Sequence, residues 1–313
     1  MPTYRRADQL RRALDALAAL DRPDGGFEVV VVDDGSPPAD GVAAVLEDAA
    51  TTFPVPLQWT SLDRNAGPAV ARNRAWRMAA GEWIAFTDDD CRPRPDWLVR
   101  LLAAADAGVG ADVVQGRTQP DPEGADRLDE PYARSMRVDA LDGYYQTCNI
   151  LYRRSLLEKA GGFDEQFRLI GDDTELGWRA AALGATETFA EDAVVHHDVV
   201  VRDWRWEIRS RRRWADAVRV VRLQPGARRL AWKPYVYRRE HASVLALLVT
   251  APVLVFRPGR RLWLAGLASV VARDVVRGGS PAGASAALVR RAGDAYETAL
   301  MLARSVQERT VLL

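Results

Sequence analysis

The chain has 313 residues, of which 48% are hydrophobic and 27% charged, a composition typical of a globular protein with one large or two modest domains. Its 43 basic and 43 acidic residues give zero formal net charge, so overall charge offers no support for a nucleic-acid-binding function. The two cysteines are too few for a disulfide framework and lack zinc-site spacing, which favours a reducing, cytoplasmic setting. The opening Met1-Pro-Thr-Tyr-Arg-Arg6 does not read as a secretory signal.

The first two thirds of the chain alternate between helix and strand patterns. Leucines at helical spacing between Leu10 and Leu20 predict a helix, and the valine run at 29–32 predicts a strand buried on both faces. Further elements are predicted in the same alternation, namely helices at 41–50, 67–80 and 95–107 and strands at 57–60, 83–87 and 112–116. This order predicts a doubly wound α/β sheet, whose ligands bind beyond the carboxyl ends of the strands.

After about residue 200 the pattern changes. Residues 202–239 hold thirteen basic and three acidic side chains, a net charge of about +10. Residues 242–256 and 262–272 are mostly apolar, but each stretch is shorter than the roughly 20 residues that span a bilayer. We therefore expect a first domain over 1–200 and a basic, partly apolar helical region over 201–313 that lies on an anionic membrane surface. The alternative is an apolar helix buried in an oligomer or against the first domain.

An acidic triplet follows the apolar strand predicted at 83–87. If the strand continues, Asp88 and Asp90 point to one side and Asp89 to the other, because side chains alternate along a strand. Two carboxylates on one side can bind Mg or Mn, ions that are usually held together with substrate phosphates. The other interpretation is a solvated acidic turn.

Three more side chains are candidates for chemistry. Asp34 ends the valine strand, where a carboxylate can accept hydrogen bonds from a base or a ribose, or form a plain turn. Asp173, in the first turn of a predicted helix, is a candidate general base; the helix dipole should depress its pKa, while the charge of Asp172 opposes that depression. His197, at the end of a predicted strand, is a possible third metal ligand, although a histidine there is more often structural.

Six motifs, in their order along residues 1–200, resemble the inverting glycosyltransferases of family 2, which have the GT-A fold. They are Pro2-Thr3-Tyr4, Val29-Val-Val-Val-Asp-Asp-Gly-Ser36, Asn65-Ala-Gly-Pro-Ala-Val-Ala-Arg-Asn73, Phe86-Thr-Asp-Asp-Asp-Cys91, Gly161-Gly-Phe-Asp-Glu165 and Gly171-Asp-Asp-Thr-Glu-Leu-Gly-Trp-Arg179. Each motif is weak alone, but the six together favour functional roles for the acidic clusters. The resemblance implies metal-dependent transfer of a sugar from a nucleotide-diphosphate donor to a hydroxyl of a glycan or lipid-linked acceptor, as in the synthesis of cell-envelope polysaccharides.

The resemblance also implies a role for each matching position. Asp173 would be the catalytic base, and a divalent cation, Mn or Mg, would be bound by Asp88, Asp90 and His197. The donor would contact Thr3, Tyr4, Asp34, Arg72, Asn73, Asp88 and Asp89. The sugar or acceptor pocket would contain Thr147, Cys148, Asn149, Asp172 and Trp178.

The sequence departs from the family pattern near its start. The family has an apolar strand, central in the sheet, directly before Pro2-Thr3-Tyr4; the sequence begins at Met1, so we expect a start site assigned too far downstream or a truncated chain. In addition, Arg5 stands where asparagine is usual, and Asp172 where glutamate is commoner.

Two other functions stay open from the sequence. The first is a sugar-1-phosphate nucleotidyltransferase, although such an enzyme needs a glycine-rich N-terminal phosphate loop that the sequence lacks. The second is a non-catalytic, membrane-associated partner that keeps the fold. We expect a cytoplasmic enzyme, peripheral on the inner face of the cell membrane.

Overall fold

The computed structural model describes residues 1–108, 110–251, 257–278 and 281–313. These residues divide into two compact units, the first made of Met1–Asp126 and Ser135–Val199 and the second of Arg127–Arg134 and Val200–Leu313. The segment 127–134 lies within the first domain predicted from the sequence. It belongs instead to the second unit, because its strand pairs with the strand at 200–201.

The elements follow one another in the alternating order predicted for the first two thirds of the chain. The strands are β1 Pro2–Thr3, β2 Val29–Asp33, β3 Leu57–Ser61, β4 Trp83–Phe86, β5 Cys91–Pro93, β6 Val113–Pro120, β7 Ala133–Arg134, β8 Ile150–Arg153, β9 Glu187–His197 and β10 Val200–Val201. The α-helices are α1 Ala7–Ala18, α2 Val42–Thr52, α3 Pro68–Met78, α4 Trp97–Asp106, α5 Arg154–Ala160, α6 Asp172–Ala182, α7 Trp204–Ser210, α8 Asp216–Leu223, α9 Arg239–Thr250, α10 Arg257–Gly278 and α11 Pro281–Gln307.

Two sheets form the centre of the first unit. One has the order β1-β2-β3 with all strands parallel. The other has the order β4-β8-β6-β9-β5, in which β6 and β9 are parallel and the other neighbours antiparallel. All five residues of β2 are buried, as expected for a strand covered on both faces. The predicted α/β architecture is therefore confirmed, with one parallel sheet and one mixed sheet.

Helix α1 packs against the core of the first unit with the apolar face that its leucine spacing predicted. Leu10, Leu14 and Leu17 are buried in one core cluster with Val31 of β2 and Leu101 of α4. Full burial of a leucine or valine contributes about 1.5–3 kcal/mol, so this face stabilises the attachment of the helix to the sheet. The packing fixes the positions of the loops that follow β1 and β2.

An apolar cavity of about 1200 Å³ lies between β2 and β4, with Val30, Trp76 and Phe86 in its walls. Met1, directly before β1, also lines the cavity, and its α-amino group donates a hydrogen bond to the carbonyl of Val30 (2.8 Å). Among the described strands, β4 pairs with β8 alone.

The second unit is mostly helical, and part of its basic stretch is internal. Arg211 is buried and pairs with Glu207 (2.8 Å), Asp294 (3.1 Å) and Glu297 (3.1 Å). The predicted charge of this stretch is therefore in part neutralised inside the unit rather than exposed to solvent. Burial of such a network requires every charge to have a partner, as Arg211 does here.

The predicted apolar stretches correspond largely to α9 and α10. Residues 252–256, the end of the first stretch, lie outside the described residues. Within the described part of the chain, no helix combines the length and the hydropathy needed to span a membrane.

Candidate active site

A buried arginine joins the acidic segment after β4 to the acidic segment that begins α6. Arg72 of α3 donates from Nη2 to Asp88 (2.9 Å) and from Nη1 to Asp172 (2.8 Å). The side chains of Arg72 and Asp172 are only 9% and 3% exposed, so solvent screens their charges little. Asp172, predicted in the acceptor pocket, is thus the partner of Arg72, and the two acidic segments belong to one site.

Asp173 lies next to this bridge and is half-buried. Its Oδ1 accepts a hydrogen bond from the backbone N–H of Thr174 (2.7 Å). Burial, followed by the charge of Asp172, raises the pKa of Asp173 to about 7, against the opposing charge of Arg72. The expected depression by the helix dipole is therefore wrong, because burial beside a second carboxylate outweighs it. A carboxylate with this pKa can accept a proton from a hydroxyl near neutral pH.

The three acids after β4 lie in a turn between β4 and β5, not along the strand. The predicted arrangement, with Asp88 and Asp90 on one side and Asp89 on the other, is therefore wrong. Instead, Arg6 Nη1 donates to both Asp89 (2.9 Å) and Asp90 (2.8 Å). Asp88 accepts from Arg72, so the side chains separate according to their arginine partners.

The environment divides these acids further. Burial raises the pKa of Asp89 to about 6, and the charge of Asp90 acts in the same direction while Arg6 opposes both. Burial also acts to raise the pKa of Asp88, but the charge and hydrogen bond of Arg72 outweigh it and hold that pKa below its ordinary value. Asp88 is therefore a permanent anion at neutral pH.

Asp90 and His197 form the candidate cation site. His197 Nε2 lies 3.5 Å from Asp90 Oδ1, because β5 and β9 pair next to the acidic turn. His197 Nδ1 lies 2.9 Å from the backbone carbonyl oxygen of Asp198. A carbonyl can only accept, so Nδ1 carries a ring proton, and in the neutral tautomer Nε2 would present its lone pair to a cation. A carboxylate oxygen and an imidazole nitrogen held in this way fit a divalent cation.

The structure places the third predicted ligand differently. Asp88 is bonded to Arg72, and the ligand atoms that lie within 4.8 Å of one another are those of Asp90, Cys91 and His197. Burial raises the pKa of the Cys91 thiol well above its ordinary value, and a sulfur ligand is a poor match for Mg or Mn, which prefer oxygen. Two of the three predicted ligands are thus adjacent.

The predicted donor residues near the start of the chain differ in exposure. Thr3 is buried and donates its hydroxyl to Asp89 (2.8 Å), whereas Tyr4 is 36% exposed. Asp34 is buried and accepts from two backbone N–H groups at the start of α3 (2.7 and 2.9 Å). Asp34 therefore fixes the beginning of the helix that carries Arg72, and burial raises its pKa.

Two amides predicted to contact ligands are used within the fold. Asn73 donates to the 161–165 motif twice, and accepts from that motif and from the indole of Trp76. These four bonds use its full capacity. Asn149 accepts from the indole of Trp97 and donates to carbonyls of β6 and β9. Both amides hold secondary structure elements together. Asn73 therefore has no hydrogen bond left for a sugar-donor ligand.

The predicted acceptor residues belong to α6 and to the loop at 142–149. Trp178 donates from its indole to a backbone carbonyl of that loop (3.0 Å). Gly177 permits the close approach, because a Cβ there would lie 2.1 Å from the ring of Tyr145. Two further predicted residues are buried in the loop, Thr147 and Cys148.

Arg6 was not among the predicted site residues. The neighbouring Arg5, noted for standing where asparagine is usual, has φ of 60° and pairs with Asp40 (2.7 Å), outside the acidic turn. Asparagine tolerates this left-handed conformation better than arginine, which explains the usual residue at that position. The feature of the sequence that could have indicated Arg6 was its positive charge two positions after the first motif.

Comparisons with known proteins identify the family. The model of Glycosyl transferase family 2 matches residues 1–161, and that of Glycosyl transferase family group 2 matches residues 83–273. Glycosyltransferase AglE of Haloferax volcanii is 29% identical over 202 residues, which cover 63% of this chain and 65% of AglE. The succinoglycan biosynthesis protein ExoM of Rhizobium meliloti is 28% identical over 293 residues, 88% of this chain and 90% of ExoM. The chain spans 43% of another relative, the pre-mycofactocin glycosyltransferase of Mycobacterium tuberculosis.

Solved structures share the fold. The mannosyltransferase PcManGT from Pyrobaculum calidifontis, in complex with GDP-Man and Mn2+, has a TM-score of 0.60 and 22% identity, covering 98% of this chain and 85% of its own. S. aureus TarS 1-349 in complex with UDP has a TM-score of 0.55 and 20% identity, covering 99% and 90%. At these identities the likeness concerns the fold, and it confirms the predicted GT-A architecture. The family match shows that the chain belongs to glycosyl transferase family 2.

Proposed function

We propose that the enzyme transfers a sugar, with inversion, from a nucleoside-diphosphate donor to a hydroxyl of a glycan or lipid-linked acceptor. The observation that carries the proposal is the bridge of Arg72 between Asp88 and Asp172, which unites the candidate cation segment with the candidate base Asp173. The GDP-Man and Mn2+ of one solved relative and the UDP of another support a nucleotide-sugar donor and a divalent cation, Mn or Mg.

In this proposal each side chain has a defined task. Asp90 and His197 hold the cation, which when bound stabilises the charge of the leaving diphosphate. Asp173 accepts the proton of the acceptor hydroxyl. The oxygen of that hydroxyl bonds to the anomeric carbon while the bond from that carbon to the diphosphate breaks. Asp172, fixed by Arg72, keeps the pKa of Asp173 raised and so increases its basicity.

Family membership favours this activity over the two alternatives left open by the sequence. A nucleotidyltransferase would release pyrophosphate from a nucleoside triphosphate, whereas the proposed reaction releases a nucleoside diphosphate. A non-catalytic partner would release neither. Product analysis therefore separates the three functions directly.

The first test is a thermal-shift screen of UDP-, GDP- and dTDP-sugars, with and without Mn2+. We expect one class of nucleotide sugar to raise the Tm only when the cation is present. At a hundredfold excess over its Kd, binding should add about 2.7 kcal/mol to the free energy of unfolding. Asp90→Ala should lose this shift. Asp48→Ala, which removes a carboxylate that is 73% exposed, is the matched control. Absence of a shift with every nucleotide sugar, or release of pyrophosphate, would contradict the proposal.

We also propose that the protein attaches peripherally to the anionic, cytoplasmic face of the cell membrane. Val249 of α9 and Leu262 of α10 are 77% and 75% exposed, and Arg260 and Arg261 are exposed next to Leu262. Exposed apolar side chains beside basic ones are suited to shallow insertion among anionic headgroups. A membrane-bound acceptor, such as a lipid-linked glycan, would then be presented to the enzyme at this surface.

Flotation with lipid vesicles tests the attachment. The unmodified chain should float with anionic vesicles and less with neutral ones, and the double variant Val249→Glu with Leu262→Glu should stay at the bottom of the gradient. Val306→Glu is the control, because Val306 of α11 is equally exposed at 79%. If the unmodified chain fails to float with anionic vesicles, the attachment proposal is wrong.

A further inference from the structure

Arg6 borders the candidate cation site and contacts two of its acids through one nitrogen. Its Nη1 donates to Asp89 Oδ1 (2.9 Å) and to Asp90 Oδ2 (2.8 Å). The arginine side chain is 41% exposed, whereas those of Asp89 and Asp90 are 6% and 18% exposed. A partly exposed cation therefore neutralises two acids of low exposure, and one of these is a candidate metal ligand.

The surrounding arginines are held in other ways. Arg72 is buried and donates to two acids, so it is fixed in place. Arg12 pairs with a carboxylate outside the acidic turn, that of Asp198 (2.9 Å). In the described ion pairs, Arg6 is the arginine that contacts Asp90. A change at this site that requires a moving positive charge must therefore involve Arg6.

The two oxygens of Asp90 are directed to different partners. Oδ2 accepts from Arg6, while Oδ1 lies 3.5 Å from His197 Nε2, where the cation would bind. A divalent cation at that position and the Arg6 guanidinium would contact the two oxygens of the same carboxylate. Two positive charges this close together repel each other. Cation binding therefore favours departure of Arg6 from Asp90.

The geometry also gives Arg6 a second anchor and a new partner. Asp89 is fixed on its other oxygen by the hydroxyl of Thr3 (2.8 Å), so Arg6 can stay bonded to Asp89 while it releases Asp90. A donor diphosphate bound to the cation brings phosphate oxygens to the same place. The planar guanidinium matches phosphate oxygens in pairs, which makes them the natural replacement partner.

We propose that Arg6 exchanges partners during donor binding: it holds Asp90 in the cation-free enzyme, releases it when the cation binds, and then donates to the donor diphosphate. This inference rests on the proposed function and adds to it a donor-positioning residue. Its consequence is coupling: Arg6 weakens binding of the cation alone and strengthens binding of the cation with a nucleoside diphosphate. By thermodynamic linkage, the diphosphate tightens cation binding by the same factor.

The test is a titration of the full chain with Mn2+, with free Mn2+ read by electron paramagnetic resonance, in the presence and absence of a nucleoside diphosphate (UDP and GDP in turn). Arg6→Gln should bind Mn2+ alone about tenfold more tightly than the unmodified chain. The tightening of Mn2+ by the diphosphate should fall about tenfold in the same variant. Arg6→Lys, which keeps the charge but not the paired geometry, should fall between the two. The control is Arg11→Gln, which removes an arginine of α1 that is 58% exposed and lies 4.0 Å from its acidic partner Asp48.

The outcomes separate this inference from the function on which it rests. If the unmodified chain binds Mn2+ and Arg6→Gln binds it equally or more weakly, the exchange is wrong and the cation site stands. If no variant binds Mn2+ in any condition, both the cation site and the exchange are wrong. Circular dichroism of Arg6→Gln confirms that a changed affinity reflects the site rather than the fold.

Discussion

The two acidic segments of the active site contain the same residue type and differ in what surrounds it. Asp88 is bonded to Arg72, whose charge holds the pKa of that carboxyl below its ordinary value. Asp173 lies beside Asp172 with less compensation, and burial raises its pKa to about 7. The comparison shows that one arginine affects the two clusters differently. It keeps Asp88 an anion, and it leaves Asp173 able to accept a proton.

The largest effect should come from removing the proton acceptor. Asp173→Asn keeps the shape of the side chain but removes its basicity, so kcat should fall by about 10³-fold while the donor Kd changes less than about twofold. Kinetics with saturating acceptor, together with donor binding by calorimetry, measure both quantities. The comparison of the two segments breaks down if Asp173→Asn retains transfer, or if it loses donor binding in parallel with kcat.

A second large effect should follow from removing the bridge itself. Arg72→Met leaves the half-buried Asp88 and the buried Asp172 without their partner and should lower the free energy of unfolding by about 3 kcal/mol. Urea titration measures this loss. The double variant with Asp172→Asn should recover part of the stability, because one of the two unpaired charges is gone. Equal stability of the single and double variants would show that the bridge does not hold these charges.

The dependence of the rate on pH should report the raised pKa. Asp173 must be ionised to accept a proton, so kcat/KM should rise about tenfold per pH unit below pH 7 and level off above it. The stability has the opposite sign: a carboxyl with a raised pKa binds its proton more tightly in the folded state, so this group's contribution declines as the pH rises from about 4 to 7. A flat rate profile between pH 5 and 8 would remove Asp173 as the titrating base.

A smaller shift should distinguish the causes of that pKa. The charge of Asp172 helps to raise the pKa of Asp173, so Asp172→Asn should move the rising limb of the rate profile to lower pH. Burial, the larger cause, stays in place, so the limb should remain above the ordinary range of an aspartate. A limb that moves to higher pH would reverse the assigned effect of Asp172.

Local sequence patterns predicted the fold well. The leucine spacing of α1 and the valines of β2 identified buried faces, because burial of apolar side chains imposes the period of the element. The end of β4 was not predictable in the same way. No local pattern distinguishes a strand that continues through Asp88 from one that turns before it, and that turn decides where three carboxylates point.

Sequence motifs suggested the candidate site residues but not the contacts between them. The structure bonds Asp88 and Asp172, the neighbour of Asp173, to the two nitrogens of Arg72, and it places Asp90 beside His197. The pairing of Arg72 with Asp172 spans 100 positions, which no spacing reveals. The pKa of Asp173 depends on burial, which the helix-dipole argument leaves out, so the predicted direction of its shift was wrong.

The most direct measurement is the position of the cation in crystals grown with Mn2+ and a nucleoside diphosphate, located by the anomalous scattering of manganese. The account predicts a peak within about 2.5 Å of both the Asp90 carboxylate and His197 Nε2, with diphosphate oxygens on the ion and the Asp173 carboxylate facing the same site. A manganese peak away from Asp90 and His197, or a diphosphate bound where Asp173 cannot face it, would contradict the claim that the two acidic segments serve one reaction.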